Sequence, residues 1–379
     1  MQRGKGRIAI VQERFGAGGR EKVVAAMIEV LNSMGITPDV ITLQSTITSR
    51  EVSQLFGSRI DYNVLKLPDL LPSVLSGAEA PYTNLLANLW TRKHDGVINL
   101  NSSMAFCSSR VPTIFYVTVP ERFIVLSQRA GREAGFWSRW RDRLHRALVR
   151  RFDIVKAGFI VVSLCEHTRD LLQSVHPGIE TAVLYPPVDA AVFENRVQKE
   201  NIIVNLGRYA TQKRQLDLLA QAKHLPDYQF IFMGPGQGSR YFQRCRDYVK
   251  EQGLANVELK GLAPLTELRS TLARAMFYVH MFRSEPFGMA TAEAIAAGCI
   301  PVVPDSWGNR EIVVKPELRF KQDQEIVSII RNIEGNPARA GDYRADLQKH
   351  VQKFDKAVFT VEFQRLVDEL ISSSRPSVN

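Results

Sequence analysis

The sequence predicts an α/β protein made of two doubly wound domains, each a parallel sheet with helices on both faces. Short apolar segments rich in Val, Ile and Leu alternate along the chain with longer segments of helical periodicity. These short segments are continuously apolar, as expected for parallel strands that are covered on both faces. A length of 379 residues is enough for two domains, each with its own core.

The first predicted domain, residues 1–187, begins with a strand, a glycine-containing loop and a helix. Residues 7–11 are the strand, and the helix after the loop ends at Gly35. The loop contains Gly18 and Gly19 and lacks the third spaced glycine of a dinucleotide fingerprint, so it is weak evidence by itself. Further strands are predicted at residues 39–43, 64–67, 96–100, 113–117 and 158–162.

A connector with two prolines, residues 183–189, is predicted to lead into the second domain, residues 188–353. That domain repeats the alternation of strand and helix. Its strands are predicted at residues 201–206, 229–233, 257–261 and 277–281, and two of its helices at residues 241–252 and 264–276. Residues 354–379 are predicted to form terminal helices.

Residues 283–304 are the most informative segment, a loop followed by a helix of small residues and a short strand. The chain turns helical near Gly288 and the helix stops at Gly298. The unpaired N–H groups and positive dipole at the helix N-terminus predict a phosphate or diphosphate site. Glu285 precedes this N-terminus, and Glu293 lies roughly 7 Å along the helix from Gly288 at about 1.5 Å per residue. Carboxylates accept hydrogen bonds from vicinal hydroxyls, so the pair predicts sugar hydroxyls beside the phosphate.

Two basic residues are predicted to contribute to the same site. Arg208 and Lys213 follow the strand at residues 201–206, at the carboxyl end where doubly wound sheets bind ligands. Two fixed positive charges can neutralise a diphosphate as it leaves, and such preorganised electrostatics are often the largest catalytic contribution. His280, inside the strand predicted at residues 277–281, is interpreted as a buried structural residue.

The pattern Glu-Pro-Phe-Gly-x4-Glu over residues 285–293 resembles the Glu-x7-Glu motif of the retaining glycosyltransferases of family 4. Arg208 and Lys213 are similar to that family's Gly-Arg-x4-Lys pattern in place and order. The resemblance covers most of the chain and is more specific in the second half than in the first. It implies the GT-B fold, two Rossmann-like domains that face each other across a cleft, with residues 354–379 crossing back to the first domain.

The resemblance also implies roles for individual residues. Glu285, Arg208 and Lys213 are the implied catalytic residues. The implied donor-binding residues are Gly18, Gly19, Arg208, Lys213, Leu262, Glu285, Phe287, Gly288, Met289 and Glu293. The candidates on the side of the acceptor and the donor sugar are Arg20, Glu21, Thr118 and Glu121. The family commonly has His where this chain has Thr118, so we expect the 6-position of the donor sugar to be recognised weakly or to lack a hydroxyl.

The implied reaction is retaining, front-face transfer of a hexosyl group, of mannosyl or glucosyl type, from a nucleotide-diphosphate sugar to a glycan or lipid-linked acceptor. The nucleotide sugar is a co-substrate, and no other cofactor is expected. No Asp-x-Asp and no cluster with metal-ligand spacing occurs in the sequence, so we expect no metal. A GT-B nucleotide-sugar epimerase and a catalytically inactive nucleotide-sugar-binding protein remain alternatives. A two-carboxylate glycosidase is disfavoured, since a raised carboxyl pKa is hard to maintain at a phosphate site.

Charge and hydropathy bear on partners and location. The net charge is +10, and residues 129–152 hold eight arginines against two acidic residues, with aromatic and apolar residues at helical spacing. This segment predicts either a helix at an anionic membrane surface or a core-facing helix with a solvated arginine face. Nucleic acid is not an expected partner, because no stacking platform accompanies the charge. No apolar run is long enough to span a bilayer and residues 1–7 lack a signal-peptide core, so we expect a cytoplasmic protein, peripheral on the inner membrane face.

Overall fold

The structure is a computed structural model that describes residues 6–16, 18–45, 51, 60–70, 79–101, 103, 106–108, 110–118, 159–193 and 197–373. The chain divides into two compact units, one of Met1–Tyr185 with Ala357–Asn379 and one of Pro186–Lys356. Glu121 and the basic segment 129–152 lie outside the described residues. The membrane contact inferred from that segment therefore stays a prediction.

The first unit contains a seven-stranded parallel sheet of spatial order β5-β3-β1-β6-β7-β8-β9. Its strands, with the separate pair β2 and β4, are β1 (Ile8–Val11), β2 (Arg14–Phe15), β3 (Asp39–Thr42), β4 (Gln44–Ser45), β5 (Asn63–Lys66), β6 (Gly96–Asn99), β7 (Thr113–Val117), β8 (Ile160–Ser163) and β9 (Ala182–Val183). Its helices up to β9 include α1 (Gly19–Ser33), α2 (Glu79–Trp90) and α3 (Glu166–Val175). The central strands are fully buried, which agrees with their continuous apolar sequences.

The second unit contains a six-stranded parallel sheet of spatial order β12-β11-β10-β13-β14-β15. These strands are β10 (Glu200–Leu206), β11 (Gln229–Met233), β12 (Val257–Leu259), β13 (Ala275–Val279), β14 (Ile300–Pro304) and β15 (Arg319–Phe320). The chain builds outward from β10 on one side, then returns to place β13 on the other side. Open α/β sheets bind ligands outside the carboxyl ends of the strands at such a switch point, here between β10 and β13.

The helices that follow β9 are mostly short. They are α4 (Ala190–Phe193), α5 (Gln215–Ala222), α6 (Arg240–Glu251), α7 (Leu265–Arg274), α8 (Met289–Ala296), α9 (Asn309–Ile312), α10 (Glu325–Glu334), α11 (Pro337–Val351) and α12 (Lys356–Ser373). The last helix belongs largely to the first unit, where Leu370 lies against Gly96 at the start of β6. None of the helices in the described ranges is both long enough and apolar enough to cross a bilayer.

The predicted α/β class with two doubly wound sheets is confirmed. Several predicted boundaries were wrong by two residues, including the ends of β12 at Leu259 and of β13 at Val279. The helix predicted to reach residue 276 ends at Arg274, and β13 begins at Ala275 rather than at residue 277. The apolar residues at this junction are compatible with either a helix or a strand. Pairing of Ala275 with Glu200 of β10 places them in the sheet.

Candidate active site

The candidate active site lies at the switch point of the second unit. Beyond β10 the chain passes through Arg208 into a single 3-10 turn, Thr211–Lys213. The Lys213 Nζ atom donates to Oε2 of Glu285, which follows β13, at 2.7 Å. The two side chains are 22% and 16% exposed, so this ion pair is largely shielded from water. The structure thus brings together two of the three residues that the sequence suggested as catalytic.

A buried histidine holds the same carboxylate oxygen. His280 directly follows β13, and its Nε2 lies 3.0 Å from Oε2 of Glu285. Its Nδ1 lies 3.3 Å from the hydroxyl of Tyr278, which is buried. If the Tyr278 hydroxyl donates to Nδ1, the ring proton is on Nε2, and Nε2–H donates to Glu285. Both donors then engage Oε2, while Oε1 has no partner in the described part of the chain and remains available to a ligand hydroxyl.

These neighbours determine the ionisation of Glu285. Burial by itself would raise the pKa of the carboxyl, but the positive charge of Lys213 and the hydrogen bond from His280 outweigh it and lower the pKa to about 2. Glu285 is therefore a carboxylate at neutral pH. An ion-paired carboxylate of such low pKa is well suited to accept hydrogen bonds and poorly suited to act as a general acid or base.

The N-terminus of α8 lies beside this carboxylate. Its cap, Gly288, has φ +107°, a conformation that favours glycine, and a Cβ at that position would lie 3.6 Å from Cγ of Glu285. The backbone amides of Gly288, Met289 and Ala290 have no acceptor within the described residues. The tip therefore offers several N–H groups and the positive end of the helix dipole next to Lys213 and Glu285.

The loop after β14 supports the backbone on which Glu285 stands. The amide of Gly308 donates to the carbonyl of Glu285 at 3.1 Å. A Cβ on Gly308 would lie only 2.2 Å from the carbonyl oxygen of Pro286, so a larger residue would push the two loops apart. This close approach fixes the main chain between β13 and α8.

The other predicted residues of the second unit lie on α8 and on the loops that follow β10, β12 and β13. Arg208 is exposed on the same loop as Lys213, and Leu262, 54% exposed, follows β12. The Phe287 ring is buried and packs edge to face on Phe354 with centroids 5.0 Å apart, so only its backbone is suited to meet a ligand. Glu293 lies on α8 and is buried, with 6% of its surface exposed.

Four of the residues predicted in the first unit lie at the N-terminus of α1: Gly18, Gly19, Arg20 and Glu21. Gly18 caps this helix, and the Glu21 carboxylate lies 2.7 Å from the position of a Cβ on Gly18. Arg20, next to Gly19, pairs weakly with Glu13 at 3.5 Å. The carboxylates of Glu13 and Glu21 are better suited to bind hydroxyl groups than a phosphate, because like charges repel.

Thr118, just past β7, is buried, and its hydroxyl has no hydrogen-bond partner among the described residues. In the same described ranges no group of three or more His, Cys, Asp and Glu side chains is placed to hold a metal ion.

Sequence reasoning missed the contact between His280 and Glu285. A signal was present, because His280 precedes Glu285 by five positions and follows a strand at the switch point. Two residues in the loop that follows one strand can lie close together at the carboxyl end of the sheet, where ligands bind. The interpretation of His280 as a residue inside the strand was wrong, since β13 ends one residue earlier.

The fold and this arrangement define the class as GT-B, two doubly wound units with an acidic helix motif in the second. Residues 189–354 match the family described as "Glycosyl transferases group 1". The predicted family resemblance is therefore confirmed.

Curated relatives align with parts of the chain. The GDP-Man:Man(3)GlcNAc(2)-PP-Dol alpha-1,2-mannosyltransferase of Dictyostelium discoideum is 24% identical over 235 residues, 55% of this chain and 46% of that protein. The GDP-mannose:cellobiosyl-diphosphopolyprenol alpha-mannosyltransferase of Xanthomonas oryzae is 28% identical over 152 residues, 38% of this chain and 40% of that protein. The chain thus spans less than half the length of these relatives.

Solved structures are similar over nearly the whole chain. Sucrose-phosphate synthase from Thermosynechococcus elongatus has a TM-score of 0.74 at 16% identity, covering 97% of this chain and 100% of that chain. HepE of Anabaena, in complex with UDP and glucose, has a TM-score of 0.70 at 16% identity with the same coverage. At these identities the likeness shows the fold alone.

Proposed function

We propose that this protein is a retaining glycosyltransferase that moves a hexosyl group, of mannosyl type, from a nucleotide-diphosphate sugar to a lipid-linked glycan. The observation that carries the proposal is the Lys213–Glu285 pair beside the α8 tip, whose first amides have no acceptor among the residues that the structure describes. Cation, carboxylate and helix tip converge where a doubly wound sheet binds ligands. The mannosyl type and the lipid-linked acceptor are suggested by the names of the two mannosyltransferases.

In this proposal the donor diphosphate is held by Arg208, Lys213 and the amides of the α8 tip. An ammonium group has three N–H donors, so Lys213 can keep Glu285 and contact a phosphate oxygen at the same time. Fixed positive charge and helix dipole stabilise the negative charge that develops on the leaving diphosphate. Because these groups can offset that charge, we propose that transfer needs no metal ion.

Glu285 is proposed to bind the transferred sugar through Oε1, the oxygen that Lys213 and His280 leave free. Glu293 would accept hydrogen bonds from the ribose, and the backbone at Leu262 would contact the base. The low pKa of Glu285 argues against a role as general base, and in the proposed front-face reaction the departing phosphate oxygen takes the acceptor proton. The first unit would bind the acceptor, with Arg20 and Glu21 on its hydroxyls and Thr118 near the donor sugar.

The proposal predicts a defined donor preference. We expect GDP-mannose to stabilise the protein more than UDP-glucose or ADP-glucose in thermal unfolding, since ligand at a hundred times its dissociation constant adds about 2.7 kcal/mol. A 6-deoxy GDP-sugar should perform nearly as well as GDP-mannose, because Thr118 is short. With GDP-mannose and a polyprenyl-diphosphate disaccharide, mass spectrometry should detect one added hexose, and excess EDTA should leave the rate unchanged.

Three outcomes would contradict this function. Stabilisation by none of the nucleotide sugars would exclude a donor site. Conversion of the donor to an isomer without acceptor would indicate an epimerase. Donor binding without turnover on any lipid-linked or free glycan acceptor would indicate an inactive binding protein.

A further inference from the structure

The carboxylate of Asp323 binds one arginine from each of the two loops that carry Lys213 and Glu285. Asp323 follows β15, just before α10, and its side chain is 16% exposed. Its Oδ2 accepts from Nη2 of Arg214 at 2.6 Å, and its Oδ1 accepts from Nη2 of Arg283 at 2.8 Å. Oδ1 also accepts a longer bond from Nη1 of Arg214 at 3.4 Å. Asp323 therefore uses both oxygens to bind two arginines at once.

Both arginines are close in sequence to the site residues. Arg214 directly follows Lys213, and Arg283 precedes Glu285 by two positions. The two loops leave adjacent strands, β10 and β13, whereas Asp323 comes from the edge strand β15, on the far side of β14. An ion pair in this position ties the two loops to each other and to the edge of the sheet.

Each arginine has a second anchor, which fixes its guanidinium group. Arg214 donates through Nε to Asp217 at 2.9 Å. Arg283 donates through Nη1 to the carbonyl of Lys321 at 2.9 Å and lies 5.7 Å from the centre of the Phe320 ring. With both ends of each guanidinium held, a displacement of one loop would have to break several charge-assisted bonds.

The backbone at Arg214 shows that this loop is constrained. Arg214 has φ +56°, a left-handed conformation that residues with a side chain rarely adopt. Such a conformation persists only where the surrounding structure enforces it. Backbone hydrogen bonds to Thr211 and from Asp217 and Leu218 hold Arg214 in this conformation. The side-chain contacts with Asp217 and Asp323 add to them next to Lys213.

Charge gives Asp323 a second effect. Without its carboxylate, the guanidinium groups of Arg214 and Arg283 would lie near one another with one fewer negative partner. Repulsion between these two guanidinium groups would then move the Lys213 loop and the Glu285 loop apart.

We propose that Asp323 is a positioning residue for the transfer reaction. Through Arg214 and Arg283 it keeps Lys213 and Glu285 in contact with each other. The inference rests on the proposed function. It goes beyond that function by assigning a role in catalysis to a residue outside the sequence motifs, one that touches neither donor nor acceptor.

Asp323→Ala tests this role against a matched control. Asp227→Ala removes another carboxylate that binds both terminal nitrogens of one arginine, Arg331, at 2.6 and 2.5 Å, but Asp227 precedes β11 at the amino edge of the sheet. We expect Asp323→Ala to lower kcat about 100-fold, the scale of a displacement of about 1 Å in a catalytic group. Asp227→Ala should stay within about twofold of wild type, and Asp323→Glu should recover part of the loss. Equal kcat for Asp323→Ala and wild type would overturn the proposal, and so would an equal loss in Asp227→Ala.

A second readout is independent of transfer activity. In protein labelled with 13C at glutamate carboxyls, the Glu285 signal is identified by its absence in Glu285→Gln. We expect the pKa of Glu285 to be higher in Asp323→Ala than in wild type, because Lys213 is no longer held against it, and to be unchanged in Asp227→Ala. An unchanged pKa in Asp323→Ala would overturn the proposal. If wild type transfers no sugar but the titration shifts, the proposed function fails while the positioning by Asp323 stands.

Discussion

Glu285→Gln is expected to lower the rate of glycosyl transfer by about 100-fold or more, the range found when one preorganised charge-stabilising group is removed. The amide keeps the size of the side chain but loses the negative charge that Lys213 and His280 both contact. It also loses a strong acceptor for a sugar hydroxyl. Initial rates at saturating donor, with the folded state checked by circular dichroism, measure this effect.

The same variant should distinguish a contact with the sugar from a contact with the diphosphate. Since Glu285 is proposed to contact the sugar, binding of GDP alone should not weaken in Glu285→Gln, as measured by calorimetry. Glu334→Gln is the matched control, because Glu334 pairs with Arg331 outside the site and its loss should leave the rate unchanged. Near wild-type turnover in Glu285→Gln would end the assignment of Glu285 to the reaction.

Lys213→Met is expected to weaken binding of the nucleotide diphosphate by about 10- to 100-fold, since a hydrogen bond to a charged group contributes about 1.5–3 kcal/mol. Methionine retains the apolar stem, which lies beside Gly207, and removes only the ammonium group. Calorimetric titration with GDP measures the change. Lys315→Met, which removes a lysine paired with Asp346 in the same unit, should bind GDP as wild type does.

The pH dependence of this variant follows from the pKa of Glu285. In wild type the pKa is about 2, so Glu285 stays ionised and its state imposes no acid limit on activity above about pH 4. In Lys213→Met, burial raises the pKa and only His280 opposes it, so Glu285 becomes protonated at a higher pH than in wild type. The residual activity should therefore fall as the pH is lowered through the raised pKa. A variant profile with the same acid side as wild type would contradict the coupling.

Much of the fold was predictable because the signals are local. Continuous apolar segments identified the parallel strands, and glycine positions identified helix ends. The region around Ala275 was the exception, since its residues suit helix and strand equally, and pairing with β10 determined the outcome. Local sequence does not contain that pairing.

The site was predictable where residues lie in one motif or leave neighbouring strands. Glu285 and Lys213, separated by 72 residues, were expected at one site because parallel strands end at the same edge. The contact of Tyr278 with His280 and the position of Asp323 were not predicted. Asp323 is separated from Arg214 by 109 residues and from Arg283 by 40, and no short motif joins them. Such ion pairs depend on tertiary structure and on which of several acidic residues the edge strand presents.

The central claim is that the α8 tip and the Lys213 loop bind the donor diphosphate. Hydrogen exchange measured by mass spectrometry, with and without saturating GDP, tests it most directly and needs no acceptor. The account predicts that peptides containing residues 207–214 and 285–291 gain protection, because the amides of Gly288, Met289 and Ala290 acquire an acceptor. Protection elsewhere in the second unit, with no change in these two segments, would contradict it.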